Sequence, residues 1–96
     1  MSLLVDPAHP GEVLSELYLK PLGMSAIALA RRLDVPRTRI ERLVKQETAL
    51  SADSAIRLAT FFGTTPEYWL NLQRGWDLAC AQRTVDVSRI KPLEAA

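Results

Sequence analysis

From Ala26 to Val44 the chain reads A-I-A-L-A-R-R-L-D-V-P-R-T-R-I-E-R-L-V, and this run leaves little conformational choice. Leu29 and Leu33 stand four residues apart with the small Ala30 between them, so one helical face is apolar and admits a second helix at close range. Pro36 fixes its own backbone angle and drives Val35 out of the helical region, so a first helix must stop before a second begins. Ile40 and Leu43 then restart an apolar stripe at helical spacing. Two helices held by a short fixed turn are a helix-turn-helix, in which the first braces the second against the major groove of DNA. Asp34 stands where such turns commonly carry glycine in a left-handed conformation, and aspartate is among the few residues that tolerate it.

The charge distribution agrees with that reading only when it is divided by region. The formal net charge of the 96 residues is +1. Between Ser25 and Leu50, however, six basic residues (Arg31, Arg32, Arg37, Arg39, Arg42, Lys45) face three acidic ones (Asp34, Glu41, Glu47), whereas Met1 to Met24 carries net negative charge from Asp6, Glu12 and Glu16 against Lys20. A surplus of three positive charges is a light footprint on DNA, so tight binding calls for two copies on one site and hence a homodimer.

With 48% apolar residues, the chain suffices for one domain and not for two. One cysteine, Cys80, excludes an internal disulfide and fits a reducing, cytoplasmic setting. No run approaches the roughly 20 apolar residues of a membrane span, so no membrane partner is expected. His9 is the only histidine, which rules out a histidine acid/base pair or a multi-histidine metal site within one chain. Glu12 and Glu16, four apart, read as a solvated face. Lacking a nucleophile, a base and an orienting group in combination, the chain is not expected to be an enzyme or to hold a metal or cofactor.

Five helices follow from the pattern, preceded by a lead-in over residues 1–8. The domain proper spans 9–83, and a tail occupies 84–96. H-P-G-E at His9–Glu12 opens a first helix with Val13, Leu14, Leu17 and Tyr18 on one face, beneath which Leu22 and Met24 pack. Ser25 caps the second helix, and the recognition helix runs from about Arg37 to Lys45. Ser51 caps a fourth that Gly63 closes, and Thr65-Pro66 starts a long fifth helix to about Gln82. Val85, Val87 and Ile90 suggest a short extended segment in the tail.

Ile40, Leu43 and Val44 form the buried face of the recognition helix, which turns Thr38, Arg42 and Lys45 outward, with Arg39 and Glu41 on the flanks and Arg37 at the tip. Arg37, Thr38 and Arg42 are therefore placed nearest base edges, where arginine can bond guanine O6 and N7 together. On the fifth helix Trp69, Leu72, Trp76 and Cys80 recur at three- and four-residue steps, with Gln73 beside them. That is more apolar surface than a small core absorbs, which points to this helix as the dimer interface.

H-P-G-E at His9–Glu12, L-x-V-P-x-x-R-I from Leu33 to Ile40, F-G-T-T-P-E-Y-W-L-N-L-Q from Phe62 to Gln73 and the following W-D-L together resemble the HigA antitoxin family, also called virulence-associated protein I-like, within the lambda-repressor-like group. The resemblance covers about residues 9 to 80. It implies an all-α, five-helix lambda-repressor-like domain that binds a HigB-type mRNA-cleaving toxin and represses its own operon as a homodimer on an inverted-repeat operator. In this family Arg42 matches a position that is often basic, Arg37, Thr38 and Arg39 hold variable reading positions, and Ser25, Lys45 and Gln46 flank them. Gln46 replaces a usual glycine in the loop after the recognition helix. The family's toxins are typically basic, so the expected toxin-binding surface is the first helix around Glu12 and Glu16 or the tail around Val85, Val87 and Ile90. Two rival readings share these residues: a helix-turn-helix regulator without a toxin, and an interaction adaptor that has lost DNA binding.

Overall fold

The computed structural model describes residues 7–94, and most of the 1–8 lead-in and the end of the 84–96 tail lie outside them. Five helices and no strand are present among the described residues: α1 (Pro10–Leu22), α2 (Ala26–Leu33), α3 (Arg37–Val44), α4 (Ala52–Phe62) and α5 (Pro66–Thr84). Each contributes at least one side chain with no solvent exposure to the same core, the largest being Leu14, Leu29, Ile40, Leu58 and Trp69. The Trp69 indole N–H is the one polar group these five bring inside, and it donates to Thr64 Oγ1 at 2.8 Å. No single helix among the described residues is long and apolar enough to cross a membrane.

The helix starts follow the cap residues. Ser25, Ser51 and Thr65 each accept a hydrogen bond from the backbone N–H three residues on, and His9 Nδ1 accepts from Gly11 N at 2.9 Å. The helix ends repeat one closure four times. Gly23, Asp34, Gln46 and Gly63 take φ between 59° and 72°, and the next residue's N–H reaches back across the turn: Met24 to Leu19 O, Val35 to Ala30 O, Glu47 to Arg42 O, Thr64 to Ala59 O. Glycine serves at two of these ends. The two that lack it bracket α3.

The expected face of α1 needs correction. Leu14–Leu19 is a π-helical stretch, in which Lys20 N–H bonds Ser15 O rather than the carbonyl four residues back. The wider turn buries Leu14 and Leu19, five residues apart, and turns Leu17 out to 53% exposure. Its cause stands two residues later: Pro21 has no N–H to donate, and its ring would collide with the Leu17 carbonyl in a regular helix. Leu22, expected beneath α1, is exposed as well, and only Met24 packs on the core. The tail also departs from expectation. Val85 is extended (φ −80°, ψ 122°), but the chain then turns, with Ile90 N–H bonded to Val87 O, and no strand forms.

Two backbones meet without any side chain between them where α1 begins. A Cβ on Gly11 would lie 1.7 Å from the Leu43 carbonyl oxygen and 2.7 Å from its carbon. Only glycine allows α1 to rest on the last turn of α3. His9 sits beside this contact, buried, with its ring edge-on to Trp76 at 5.3 Å between centroids.

Gly11→Ala is expected to cost at least about 3 kcal/mol in urea denaturation, beyond the usual range for an overpacked core, because the obstacle is backbone that cannot change rotamer. Gly75→Ala is the control. Its Cβ meets only Pro7 Cβ at an ordinary 3.7 Å, and removing a mid-helix glycine should add about 0.5–1 kcal/mol. Equal destabilisation by both variants would refute the close-approach account.

A pH dependence follows from His9. Burial lowers its pKa below 6.5, against opposing contributions from the Thr48 backbone hydrogen bond and the charges of Asp77 and Glu12. The folded state therefore prefers neutral imidazole, whose Nδ1 must stay unprotonated to accept from Gly11. The contribution is complete above pH 6.5 and is lost as pH falls below it toward the lowered folded value. Between pH 7.5 and 5.5 the melting temperature of the wild type should drop further than that of His9→Asn, which keeps an acceptor at the cap and does not titrate.

Candidate nucleic-acid interface

Helix α3 is seated by two apolar residues and presents the rest of itself to solvent. Ile40 and Leu43 are buried, Glu41 and Val44 half-buried, and Arg37, Thr38, Arg39 and Arg42 exposed. Lys45 and Gln46 continue the exposed edge past its end. Among the five helices, α3 alone starts without a side-chain acceptor, because its cap residue is Pro36. The N–H groups of Arg37 and Thr38 thus remain available to an external acceptor, at the end where the helix dipole favours negative charge, while Arg39 N–H bonds Pro36 O. Ser25, by contrast, spends its hydroxyl on α2, accepting from Ala28 N at 3.0 Å.

A cleft of about 410 Å³ opens beside this edge, between α3 and the start of α4. Thr38, Arg39 and Arg42 line one wall, and Thr48, Ala49 and Ser51 the other. Arg37, Arg42 and Lys45 form no ion pair with any described residue. Arg39 does: its Nη1 lies 2.6 Å from Asp53 Oδ1 on α4. Of the four exposed residues in α3, the flanking arginine is therefore held by the neighbouring helix, while the tip and centre of the outward face stay free.

Asp53 joins Arg39 to a third group. Arg57 Nε bonds the same carboxylate oxygen at 2.8 Å, and Arg57 Nη1 reaches Leu33 O at 2.8 Å and Asp34 O at 3.4 Å, the last carbonyls around the α2 C-terminus. The hydrogen bonds from Arg57 and then Arg39 hold the Asp53 carboxyl below the usual aspartate pKa, so it stays charged across the neutral range. Sequence reasoning did not find this group. Asp53 and Arg57 stand at helical i, i+4 spacing, a legible pair, but nothing in the pattern ties them to Arg39, fourteen residues upstream.

On α5 the expected interface residues divide. Trp69 has no exposed surface and belongs to the core of its own chain. Gln73 is likewise consumed internally: its Oε1 accepts from Leu50 N at 2.7 Å and its Nε2 donates to Asp77 Oδ1 at 2.8 Å, which fixes the loop leaving α3. A buried backbone N–H in that loop needs an acceptor, and α5 provides it. Leu72 packs on the core from the edge, and Trp76 lies half-buried against His9. Cys80 is half-buried further along. The stripe read as surplus is mostly used at home, because the loop that leaves α3 and His9 at the start of α1 also need covering.

Residues 16–69 match the helix-turn-helix family pattern. The chain is 47% identical over 75 residues to virulence-associated protein I of Dichelobacter nodosus, an alignment covering 78% of this chain and 69% of that protein. Among solved structures it resembles antitoxin GraA in complex with its operator, with a TM-score of 0.87, 38% identity and 99% coverage of both chains. It also resembles the Pseudomonas aeruginosa antitoxin HigA with the higBA promoter, with a TM-score of 0.83, 36% identity and coverage of 92% of this chain and 99% of that one. The chain belongs to the helix-turn-helix family that includes virulence-associated protein I and the HigA-type antitoxins.

Proposed function

We propose that the chain is the antitoxin and autorepressor of a HigBA-type module: as a homodimer it binds an inverted-repeat operator, and it neutralises an mRNA-cleaving toxin. The observation that carries the DNA half is the free outward face of α3, where exposed Arg37, Thr38 and Arg42 project from a helix whose angle is set by the Gly11–Leu43 contact. Arginine reads guanine by a paired hydrogen bond and threonine offers a hydroxyl and a methyl, so three side chains suffice for a half-site. Lys45, Gln46 and the cleft wall at Thr48 and Ser51 lie along the edge where the DNA backbone would pass.

The dimer is supported by the far end of α5. Its last buried residue is Gln73, yet the helix continues to Thr84, and the radius of gyration of 16.4 Å exceeds the roughly 12–13 Å of a compact chain this long. On this overhang Leu78 is 57% exposed and lines an apolar groove with Ala81, Val85 and Val87. A second copy related by a two-fold axis would cover both overhangs and set the two recognition helices about 34 Å apart. This groove replaces Trp69 and Gln73 as the centre of the surface, while Trp76 and Cys80 lie on the opposite face of the same helix, Trp76 against His9. For the toxin, the arginine face repels a basic partner. Glu16 on α1 is paired with Lys20 at 2.7 Å, which leaves Glu12 and the exposed tail as the surfaces offered.

Arg42→Ala should weaken operator binding by about 1–3 kcal/mol in a gel-shift titration at fixed salt; unchanged affinity would remove Arg42 from the reading surface. Combined with Arg37→Ala it should abolish repression of the promoter while cells remain protected from the toxin. Loss of both activities in a stably folded double variant would contradict separate surfaces. Leu78→Glu should sediment as a monomer at micromolar concentration and retain the wild-type helical content. A persistent dimer would place the interface elsewhere.

A further inference from the structure

Asp53 presents an anomaly for a DNA-facing edge: a fixed negative charge where phosphates would pass. The side chain is 56% exposed and Arg39 42%, so solvent and ligand both reach the pair. Ion pairs this exposed contribute little to folding, with a usual worth of about 0–1 kcal/mol. The carboxylate is nonetheless held from two sides, because Arg57 bonds the same oxygen and is itself anchored on the carbonyls that end α2. The arrangement places Arg39 firmly on α4 at little gain in stability, on the one helix where a free guanidinium would change what the protein binds.

We propose that Asp53 is a discrimination residue: by pairing Arg39 it withholds that guanidinium from phosphate, and so lowers the affinity for DNA of any sequence while leaving Arg37, Thr38 and Arg42 to read the operator. Binding without sequence preference is set by how many phosphates a protein neutralises, and it competes with the operator across the whole genome. A carboxylate that subtracts one phosphate contact per chain weakens the competitor sites in full. On the operator the base contacts of Arg37, Thr38 and Arg42 fix how α3 sits, so a freed Arg39 would add little there, whereas a complex held by phosphates alone would gain the contact in full. Discrimination rises although affinity falls. The inference rests on the reading of α3 as the recognition helix.

The test compares wild type with Asp53→Asn on two duplexes of equal length and composition, one carrying the chain's own promoter and one scrambled. An exposed isosteric change should leave the melting temperature almost unchanged. Asp53→Asn should bind the scrambled duplex roughly tenfold more tightly at about 0.1 M salt, and its plot of log affinity against log salt should steepen by about 0.9 per chain, one added phosphate contact. Promoter affinity should rise by less, so the ratio of the two falls. Asp53→Glu, which keeps the charge, should restore the wild-type ratio. Adding Arg39→Ala to Asp53→Asn should abolish the gain. Unchanged scrambled-duplex affinity and slope in Asp53→Asn would overturn the proposal, as would a gain that survives loss of Arg39. If wild type does not prefer its promoter, the reading of α3 fails, and the salt slope on the scrambled duplex still decides the role of Asp53.

Discussion

The contact between Gly11 and the Leu43 carbonyl sets the geometry on which the rest of the domain depends. A helix that reads a groove must be held at a fixed tilt, and side-chain packing alone leaves tilt soft, since rotamers give way under load. Here the backbone of α1 lies directly on the backbone of α3, with no atoms between them to adjust. The neighbouring groups serve this contact. His9 caps the first turn of α1 through Gly11 N, Trp76 covers the imidazole, and Gln73 holds the loop that leaves α3. The residues that open the chain and those near its end thus converge on the last turn of a helix in its middle.

This convergence explains why much of the apolar stripe of α5 is taken up within its own chain. A stripe of Trp69, Leu72, Gln73 and Trp76 is apolar beyond what one neighbouring helix can cover, and the inference that something else covers it was sound. The covering groups are in the same chain: Tyr18 and Phe62 around Trp69, His9 against Trp76, and the backbone of Leu50 on Gln73. Periodicity reports that a face is apolar. It does not report whether the partner is another helix, a loop or a second molecule.

Much of the rest was legible because it is local. Caps at Ser25, Ser51 and Thr65, the left-handed ends at Asp34 and Gly63, and the break at Pro36 are each decided within four residues, and each stands as the residue types require. The inward residues Ile40 and Leu43 were legible for the same reason. Two departures have non-local or second-order causes. A proline near the end of α1 widens the turn before it, which moves Leu17 out and Leu19 in, so strict 3.6-residue spacing misassigns the face. The Arg39–Asp53 pair went unread because Asp53 lies on another helix and stands at no recognisable interval from Arg39.

The economy with which α3 is seated has an evolutionary consequence. Only Ile40 and Leu43 of its eight residues are fully buried, and the turns on either side of it are closed by bonds between backbone groups, Val35 to Ala30 at the end of α2 and Glu47 to Arg42 at its own end. Neither closure depends on which side chains stand at the four exposed positions. The segment therefore behaves as a cassette: its exposed residues can be exchanged without renegotiating the core. Related chains can therefore differ at Arg37, Thr38 and Arg42 while the frame that holds α3 stays the same.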